Sequence, residues 1–567
     1  MTPVQMAEAA IAADRTHADP AIWITRRADE AILAEARALE AAGPEGKPLW
    51  GVPFAVKDNI DVAGIPTTAA CPGYAYVPEK DAPAVRRLLD AGAVLIGKTN
   101  LDQFATGLVG TRSPYGIPRN VFDPDLVPGG SSSGSGCAVA AGIVPFALGT
   151  DTAGSGRVPA AFGNIVGLKP TVGSVSARGM VPACRSIDTI SVFARSVDEA
   201  LAVQRLIVGF DADDPYSRAA PFPYLRRGAG LNRVAMADVA ELCDPEVATA
   251  YRAAGAALNA EPIDIAIFLK VAYLLYEGPW VAERTAALRD ALEHRPDIIF
   301  PATRTVLEAG LTRLTIDAFD AMHVLQEARR QAALLFRRYD ALLLPAAPFC
   351  PTLAEVQADP FGPNLRLGTF TNFANLCDLA GFAVPIGFSP AGTPIGGVLL
   401  GPAWSEGRLA PLADALHRRS TASVGATAQP LPPAAAPDAI APEETALFCI
   451  GAHMAGLPLN HQITALGGRF IREAVTAPCY RMFALGNRPG LVRSADGSAL
   501  AGEVWALPTA GIGALLVQVP APLGFGTVLL DDGPTLGFLA ESAGIGDAVD
   551  ITALGGWRAW LRTQSED

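Results

Sequence analysis

The sequence predicts an α/β protein in which a large domain with a mixed central β-sheet wrapped by helices precedes a smaller, β-rich α+β domain. Over residues 1–420, short apolar runs typical of strands alternate with helical patterns, which favours a parallel or mixed sheet. Residues 421–444 are rich in proline and alanine without periodicity, as in a linker. Residues 445–567 contain short β-prone runs separated by turn residues, which predict the second domain.

Length and composition support a large globular enzyme. The chain has 567 residues, too many for one core, and half of them are apolar. Its net charge of −13 disfavours a nucleic acid or an anionic membrane as partner, because both bind basic surfaces. The N-terminus lacks a signal-peptide pattern, no apolar run is long enough for a membrane span, and the eight cysteines lack metal-ligand spacing. We therefore expect a cytoplasmic protein.

The elements of the first half follow from local patterns. Alanine-rich residues 3–41 predict helical structure with a break at Pro20. Residues 51–61 predict a strand that carries Lys57 into the fold at its end; the alternative is a surface loop in which Lys57 pairs with Asp58 or Asp61. The elements predicted next are a helix and strand over 84–97, helices over 102–108, 138–147 and 197–208, and a strand over 187–192.

The second half of the large domain begins with a long helical region. Residues 247–292 read as largely helical, and the glycine and proline within 277–279 predict that one helix ends there and another begins. Three further strands are predicted, over residues 339–345, 381–386 and 395–400.

Two glycine-flanked serines give the clearest indication of an active site. Ser131 lies in the run from Pro128 to Gly136, and Ser155 lies in the run from Gly149 to Arg157. A loop, a short helix and a return loop can bring both hydroxyls to one place, and the glycines permit a backbone that turns amide N–H groups inward. This arrangement predicts a proton relay beside an oxyanion hole.

Lysine usage singles out a third residue. The chain has only six lysines, while its other basic side chains apart from histidine are arginines. Arginine stays charged, whereas a buried lysine can lose its proton and act as a base. Lys57, at the end of a predicted buried strand, is the candidate base.

Other readings of the glycine-serine run are weaker. Residues 130–134 satisfy the G-x-S-x-G pattern of a hydrolase nucleophile elbow, with Ser132 central. That elbow must follow a strand, yet two prolines and two aspartates precede it, and the large domain has no histidine in a setting that suggests a triad. A phosphate loop would need a following Gly-Lys-Ser/Thr, and a flexible linker would not be flanked by apolar segments.

With these motifs the chain resembles the amidase signature family over roughly residues 20–415. The resemblance implies a Ser-Ser-Lys triad of Lys57, Ser131 and Ser155, with Ser155 as nucleophile, and a cis peptide at Ser131. It also implies a structural role for Arg157. Neutral Lys57 would draw a proton through Ser131 from Ser155, which attacks an amide carbonyl. The predicted oxyanion donors are the backbone N–H groups of Thr152, Ala153, Gly154 and Ser155.

Within the family, finer motifs resemble the allophanate hydrolase group. These are the segments 107–116, 153–159 and 276–284, together with the appended module. The resemblance implies hydrolysis of allophanate to ammonia and carbon dioxide, with Tyr276 and Arg284 as substrate contacts. A guanidinium pairs bidentately with a carboxylate, which suits this carboxylated urea, whereas the alternative for Arg284 is a solvated helix face.

The second domain resembles a γ-glutamylcyclotransferase-like fold. In the group it is thought to decarboxylate the N-carboxy product, and His461, with His453 behind it, is the candidate there. The alternative is a histidine that is satisfied in a barrel wall, or a module that stabilises a dimer.

The resemblance further implies no metal or cofactor, a role in urea degradation with a functional link to urea carboxylase, and a homodimer. Two competing functions remain. One is an amidase for another small carboxylated amide, and the other is a non-catalytic scaffold with a degenerate amidase site. A transamidase that acts on aminoacyl-tRNA fits the acidic charge and the appended module poorly.

Overall fold

The computed structural model of the chain describes residues 1–230 and 233–565. These residues form two compact units. The first unit contains residues 1–220, 234–334 and 341–434, and the second contains residues 221–233, 335–340 and 435–567.

The first unit is built on one large mixed sheet, which confirms the predicted α/β class. Its strands are β1 (Trp23–Arg26), β2 (Pro53–Lys57), β3 (Val94–Thr99), β4 (Phe146–Asp151), β5 (Val166–Lys169), β6 (Thr189–Ala194), β7 (Val234–Ala237), β8 (Glu261–Ile263), β9 (Ala341–Pro345), β10 (Leu379–Phe388) and β11 (Pro394–Pro402). Among the described residues these eleven strands follow the order β1-β3-β2-β4-β6-β5-β10-β11-β9-β7-β8.

Helices surround this sheet. Those that begin before residue 434 are α1 (Pro3–His17), α2 (Asp29–Ala42), α3 (Pro83–Asp90), α4 (Ser133–Ala140), α5 (Val158–Phe162), α6 (Val197–Ile207), α7 (Pro245–Ala257), α8 (Ala266–Leu274), α9 (Trp280–Ala287), α10 (Arg289–His294), α11 (Pro301–Gly310), α12 (Thr315–Arg338), α13 (Leu353–Ala358), α14 (Gly362–Leu367), α15 (Phe373–Leu376) and α16 (Glu406–Ser420). Strands β2, β3, β4, β5 and β6 are buried at every position, as expected for a sheet covered on both faces.

Strand direction decides which residues meet. β2 runs parallel to both β3 and β4, so the carboxyl ends of these three strands lie at the same edge of the sheet. Lys57 ends β2, Thr99 ends β3 and Asp151 ends β4. β6 runs antiparallel to β4, and its first residue, Thr189, pairs with Asp151. The segments that follow β2 and β4 and the segment that precedes β6 are therefore neighbours.

Three sequence predictions differ from the structure. The N-terminal region contains the short strand β1 between α1 and α2, which pairs with β3 and is too short to show a pattern. The helix predicted over 102–108 is a single 3-10 turn, because Phe104 and Ala105 both adopt left-handed backbone angles. The helix predicted over 138–147 ends at Ala140, two residues before Gly142 with φ +73°, and β4 begins at Phe146.

The later predictions match better. The region 247–292 contains α7, α8, α9 and α10 with the short strand β8, and the predicted break at 277–279 separates α8 from α9. The three predicted strands correspond to β9, β10 and β11. Part of the predicted linker is packed: Val424 is buried in the first unit's core, and the Asn164 side-chain amide donates to the Ser423 and Gly425 carbonyls.

The second unit is rich in strands, as predicted. Its elements are β12 (Glu444–Cys449), α17 (Asn460–Ala465), β13 (Arg469–Val475), β14 (Tyr480–Leu485), β15 (Arg488–Arg493), β16 (Ala501–Pro508), α18 (Thr509–Leu516), β17 (Leu523–Leu530), β18 (Gly533–Ala540), β19 (Val549–Asp550) and α19 (Trp557–Ser565). Among the described residues they form a five-stranded sheet, β13-β16-β12-β18-β17, and a three-stranded sheet, β15-β14-β19. A buried bidentate ion pair between Arg469 and Glu444 joins the starts of β13 and β12.

Neither unit contains a helix, within residues 1–230 and 233–565, whose length and apolar character would allow it to cross a lipid bilayer.

Candidate active site

Lys57 lies at the buried carboxyl end of β2 and touches two hydroxyls. Its Nζ is 2.8 Å from Ser131 Oγ and 2.6 Å from Thr150 Oγ1. The side chain is fully buried, so the alternative of a surface loop is wrong. The neighbouring Asp58 pairs instead with Lys98, at 3.3 Å.

Burial sets the charge of this amine. It lowers the pKa of Lys57 to about 7, against the opposing effect of the negative charges of Asp102, Asp151 and Asp188. No carboxylate in the described part of the chain forms an ion pair with Lys57. A substantial fraction of the amine is therefore neutral near pH 7 and carries a lone pair that can accept a proton.

The loop that carries Ser131 is held by backbone contacts. The Gly130–Ser131 peptide is cis, as the family resemblance implied. The Asp102 backbone N–H donates to the Ser131 carbonyl at 3.0 Å, and a Cβ at Gly130 would lie 2.1 Å from Asp102 Oδ2. Only glycine fits beside this carboxylate, so the loop cannot accept a side chain at Gly130.

Ser132 is not placed as a nucleophile. Its hydroxyl donates to the Thr150 carbonyl at 3.1 Å, and the Thr150 N–H donates to its oxygen at 3.3 Å. No strand immediately precedes it among the described residues. The nucleophile-elbow alternative is therefore unsupported.

Ser155 lies in a buried turn that follows β4. The Asp151 carboxylate accepts the N–H groups of Gly154 and Gly156, each at 3.0 Å, and forms a buried ion pair with Arg157. Arg157 therefore supports the turn, consistent with the structural role predicted for it. Within the described residues, no hydrogen bond joins Ser155 Oγ to Ser131 Oγ, so the predicted relay requires the two hydroxyls to approach each other.

Three of the four predicted oxyanion donors are free. Gly154 is the exception, because its N–H is donated to Asp151. In the described part of the chain, the N–H groups of Thr152, Ala153 and Ser155 donate to no protein group. Free buried N–H groups are rare, and such a set beside a serine is suited to binding a developing oxyanion.

Arg284 and Tyr276 lie together in the first unit. The Arg284 guanidinium is fully buried and stacks on the Tyr276 ring, 4.9 Å from its centre. Its Nη1 donates to Thr106 Oγ1 at 2.9 Å and to the Ala105 carbonyl at 3.2 Å. This contradicts the alternative of a solvated helix face, since both side chains are buried.

The same pair lacks partners on one side. Arg284 Nε and Nη2 and the Tyr276 hydroxyl are buried without a hydrogen-bond partner in the described residues. Burial raises the pKa of Tyr276, so its hydroxyl stays protonated and can donate. Within the described residues no carboxylate forms an ion pair with Arg284. A buried guanidinium in this state is costly, and its unpartnered nitrogens therefore indicate a site for an anion.

Sequence reasoning missed four residues that hold this site in place. Thr150 contacts Lys57, Thr106 supports Arg284, Asp102 holds the Ser131 loop, and Asp188 accepts a hydrogen bond from Thr152 Oγ1 at 2.5 Å. Thr150 lies inside the motif that identified Ser155, which could have marked it. Asp102 and Asp188 carry no local signal, because the site residues that they bind, Ser131 and Thr152, are distant in sequence.

The second unit contains a separate cavity of about 620 Å³. His453 lines it, whereas His461 is not among its lining residues and contacts the Pro458 carbonyl with Nδ1 at 2.9 Å. The His453 ring stacks on Phe538, and its Nε2 lies 2.9 Å from Gln462 Oε1. Burial lowers the pKa of His453, which favours the neutral ring. Within residues 1–230 and 233–565, no cluster of three or more His, Cys, Asp or Glu side chains could hold a metal ion.

Comparison with known proteins gives matches over both units. The urea amidolyase of Saccharomyces cerevisiae is 39% identical over 568 residues, which are 95% of this chain and 31% of that protein. The urea amidolyase of Lachancea kluyveri is also 39% identical, over 575 residues that are 96% of this chain and 31% of that protein. The chain thus spans about a third of the length of these relatives.

A solved structure matches over both units. Kluyveromyces lactis allophanate hydrolase is 38% identical, with a TM-score of 0.77, and the match covers 100% of this chain and 97% of that one. The allophanate hydrolase C-terminal domain model matches residues 445–562. The amidase family model matches residues 9–410, which contain Lys57, Ser131 and Ser155, and the chain therefore belongs to the amidase family.

Proposed function

We propose that this chain is an allophanate hydrolase, whose first unit releases ammonia from allophanate through an acyl-enzyme on Ser155. The observation that carries the proposal is the buried guanidinium of Arg284, whose Nε and Nη2 have no hydrogen-bond partner in the described part of the chain. It indicates an amide substrate that also bears a carboxylate. The similarity to K. lactis allophanate hydrolase over the whole chain supports the choice of substrate.

The first step is nucleophilic attack. Neutral Lys57 accepts the Ser131 proton while Ser131 accepts the proton of Ser155, whose oxygen bonds to the urea carbonyl carbon. The free N–H groups of Thr152, Ala153 and Ser155 stabilise the tetrahedral oxyanion, at a few kcal/mol for a good donor set. The proton then returns through the two serines to the leaving nitrogen, and ammonia departs.

The second step is hydrolysis of the acyl-enzyme. Water attacks the Ser155 ester and gives its proton to the same relay, which regenerates the serine and leaves N-carboxycarbamate. Arg284 and Tyr276 hold the remaining carboxylate in both steps, with a bidentate guanidinium contact and a phenol hydrogen bond.

The second unit supports a further role, decarboxylation of N-carboxycarbamate. The supporting observation is its cavity, which is lined by His453 and Arg488, a neutral imidazole and a cation. We assign the candidate role to His453, because His461 does not line this cavity. The γ-glutamylcyclotransferase-like fold of this unit stays a prediction.

The upstream partner is proposed from the same relatives. Because the chain matches about a third of the urea amidolyases, we propose that it acts with a urea carboxylase that supplies allophanate in urea degradation. A homodimer and a cytoplasmic location stay predictions.

Replacing the nucleophile tests the amidase assignment. We expect Ser155→Ala to lower ammonia release from allophanate at least about a thousandfold, because a relay without its nucleophile keeps only binding and the oxyanion hole. Ser133→Ala is the matched control, since the Ser133 hydroxyl at the start of α4 has no hydrogen-bond partner among the described residues, and ammonia release should stay within about twofold of the native rate. A fluorophosphonate should label Ser155 in the native chain. Ammonia release by Ser155→Ala within tenfold of the native rate would exclude this nucleophile, and a chain that resists labelling would support the scaffold alternative.

The pH dependence tests the base. Lys57 acts when neutral, so with a pKa of about 7 the value of kcat/KM should fall tenfold per pH unit well below pH 7 and level off above it. The profile should be measured from pH 5.5 to 8.5 with a carboxylated amide whose own carboxylate does not titrate in that range. A flat profile across this interval would contradict Lys57 as the base.

Arg284→Lys tests carboxylate recognition. We expect KM for allophanate to rise at least about tenfold, a larger effect than the accompanying loss of thermal stability, because an ammonium cannot make the bidentate contact. Biuret, which lacks the carboxylate, should be a poor substrate for the native chain and no poorer for the variant. Arg289→Lys, at an exposed side chain on α10, is the matched control. If Arg284→Lys raises KM equally for allophanate and for biuret, Arg284 does not bind the substrate carboxylate.

A pair of histidine variants tests the second unit. In the full chain, His453→Asn should slow the appearance of carbon dioxide relative to the first ammonia, because N-carboxycarbamate then decays without assistance. His461→Asn should behave like the native chain, since that ring does not line the cavity. Both products are quantified from allophanate by time course. The reverse pattern would return the role to His461.

A further inference from the structure

Asp188 is a buried carboxylate that the proposed chemistry does not use. It directly precedes β6, while Thr152 directly follows β4, so the two residues face each other beyond the last strand pair. Thr152 Oγ1 donates to Asp188 Oδ1 at 2.5 Å. The carboxylate also accepts the N–H of Ala183 at 2.8 Å and that of Cys184 at 3.0 Å. It thereby closes residues 183–188 into a loop, which we call the bridging loop. It also binds that loop to the turn formed by residues 152–155, which we call the oxyanion turn because it carries the predicted oxyanion donors.

The other side of the bridging loop is bound to α9. The N–H of Ser186 donates to Glu283 Oε1 at 2.7 Å, and the Ser186 hydroxyl donates to Oε2 at 2.8 Å. Glu283 immediately precedes Arg284 in the helix. The Cys184 thiol also points to the Trp280 carbonyl in the first turn of α9, with a distance of 3.6 Å. The bridging loop therefore contacts both the helix that carries Arg284 and the turn that carries the oxyanion donors.

The other supports of this turn do not bind Thr152, because the Asp151 carboxylate accepts the N–H groups of Gly154 and Gly156. The Asn375 side chain donates to the carbonyls of Asp151 and Ile187, and the Thr189 hydroxyl donates to the Asp151 carbonyl. These contacts hold the end of β4. The backbone N–H of Thr152 is one of the free oxyanion donors. The side chain of the same residue is held by Asp188, which accepts a hydrogen bond from its hydroxyl.

We propose that Asp188 is a positioning residue that fixes the oxyanion N–H groups relative to the carboxylate site at Arg284. This inference rests on the proposed function, because it concerns how the same substrate is held. A small carboxylated amide has only a few bonds between its carboxylate and its reacting carbonyl. The two sites must therefore keep a fixed separation, and a displacement of about 1 Å lowers the rate by about a hundredfold.

The chemistry of the contact favours a carboxylate. Asp188 accepts three donors, one hydroxyl and two backbone N–H groups. An asparagine in its place would point its N–H₂ group, which can only donate, at one of these three donor groups. At least one of the hydrogen bonds would then be lost. At position 152, valine has the shape of threonine without the hydroxyl, and serine keeps the hydroxyl without the methyl group. This pair separates the hydrogen bond from packing.

Steady-state kinetics of the full chain test the proposal. With allophanate, Thr152→Val should lower kcat by about ten- to a hundredfold while KM stays within about twofold, because carboxylate binding at Arg284 is untouched. Thr152→Ser should retain most of the native kcat. Asp188→Asn should also lower kcat, and the double variant Thr152→Val/Asp188→Asn should be no slower than Asp188→Asn alone, because both changes remove one interaction.

A second readout does not depend on the substrate assignment. A fluorophosphonate places its phosphoryl oxygen in the oxyanion hole and carries no carboxylate, so its rate of reaction with Ser155 reports the donors alone. Thr152→Val should slow labelling by a similar factor, and Thr152→Ser should not. A native chain that is labelled but does not hydrolyse allophanate would overturn the proposed substrate and leave this comparison intact.

Three results would overturn the positioning role. They are a KM effect without a kcat effect, equal losses in Thr152→Val and Thr152→Ser, or losses that multiply in the double variant. Where Asp188→Asn does not fold, the Thr152→Val and Thr152→Ser pair decides by itself, through the split between kcat and KM and through the labelling rates.

Discussion

The charge of one buried amine constrains the rest of the site. Lys57 lies at the end of a central strand with no carboxylate in contact among the described residues, so its ammonium form is poorly solvated. Three aspartates surround it, yet each is occupied elsewhere: Asp102 and Asp188 accept backbone N–H groups, and Asp151 binds Arg157. Burial lowers the pKa of Lys57 to about 7, and the charges of the three aspartates, which act at a distance, only partly oppose that shift. A direct ion pair would hold the proton and stop the relay.

Arg284, the second buried cation, keeps its charge where Lys57 can lose it. Arginine does not lose its proton in proteins, so the burial of Arg284 cannot be relieved by neutralisation. The Tyr276 ring and Thr106 offset part of this cost, and in the proposed function the substrate carboxylate offsets the rest. In that proposal Lys57, which can lose its proton, is the base, and Arg284, which cannot, binds the carboxylate. This division gives a physical reason for lysine at 57 and arginine at 284 in a chain with six lysines.

The sequence predicted the parts of the site that share a motif, and missed the parts that the sheet assembles. Lys57, Ser131 and Ser155 stand in glycine-rich or strand-end segments whose composition reports their chemistry. Asp188 meets Thr152 only because β6 returns antiparallel beside β4, and nothing near Asp188 in sequence indicates that pairing. The same limit explains the missed strand β1, whose four residues pair with β3 far along the chain. Local sequence likewise did not indicate which histidine lines the cavity of the second unit, because a cavity depends on how distant segments pack.

The order of the sheet also explains how the proposed oxyanion hole and the proposed carboxylate site, which come from distant segments of the chain, can act on one substrate. β2 and β4 are parallel neighbours, so the base and the oxyanion turn emerge at one edge and are fixed by many backbone hydrogen bonds. Arg284 comes from α9, outside the sheet, and has no such fixed register. The bridging loop connects α9 to the sheet edge through Glu283 on one side and Asp188 on the other, beside the contacts of Arg284 itself with Ala105 and Thr106. In the proposed function, this connection between the helix and the turn lets carboxylate binding at Arg284 affect the rate of the reaction as well as the affinity for substrate.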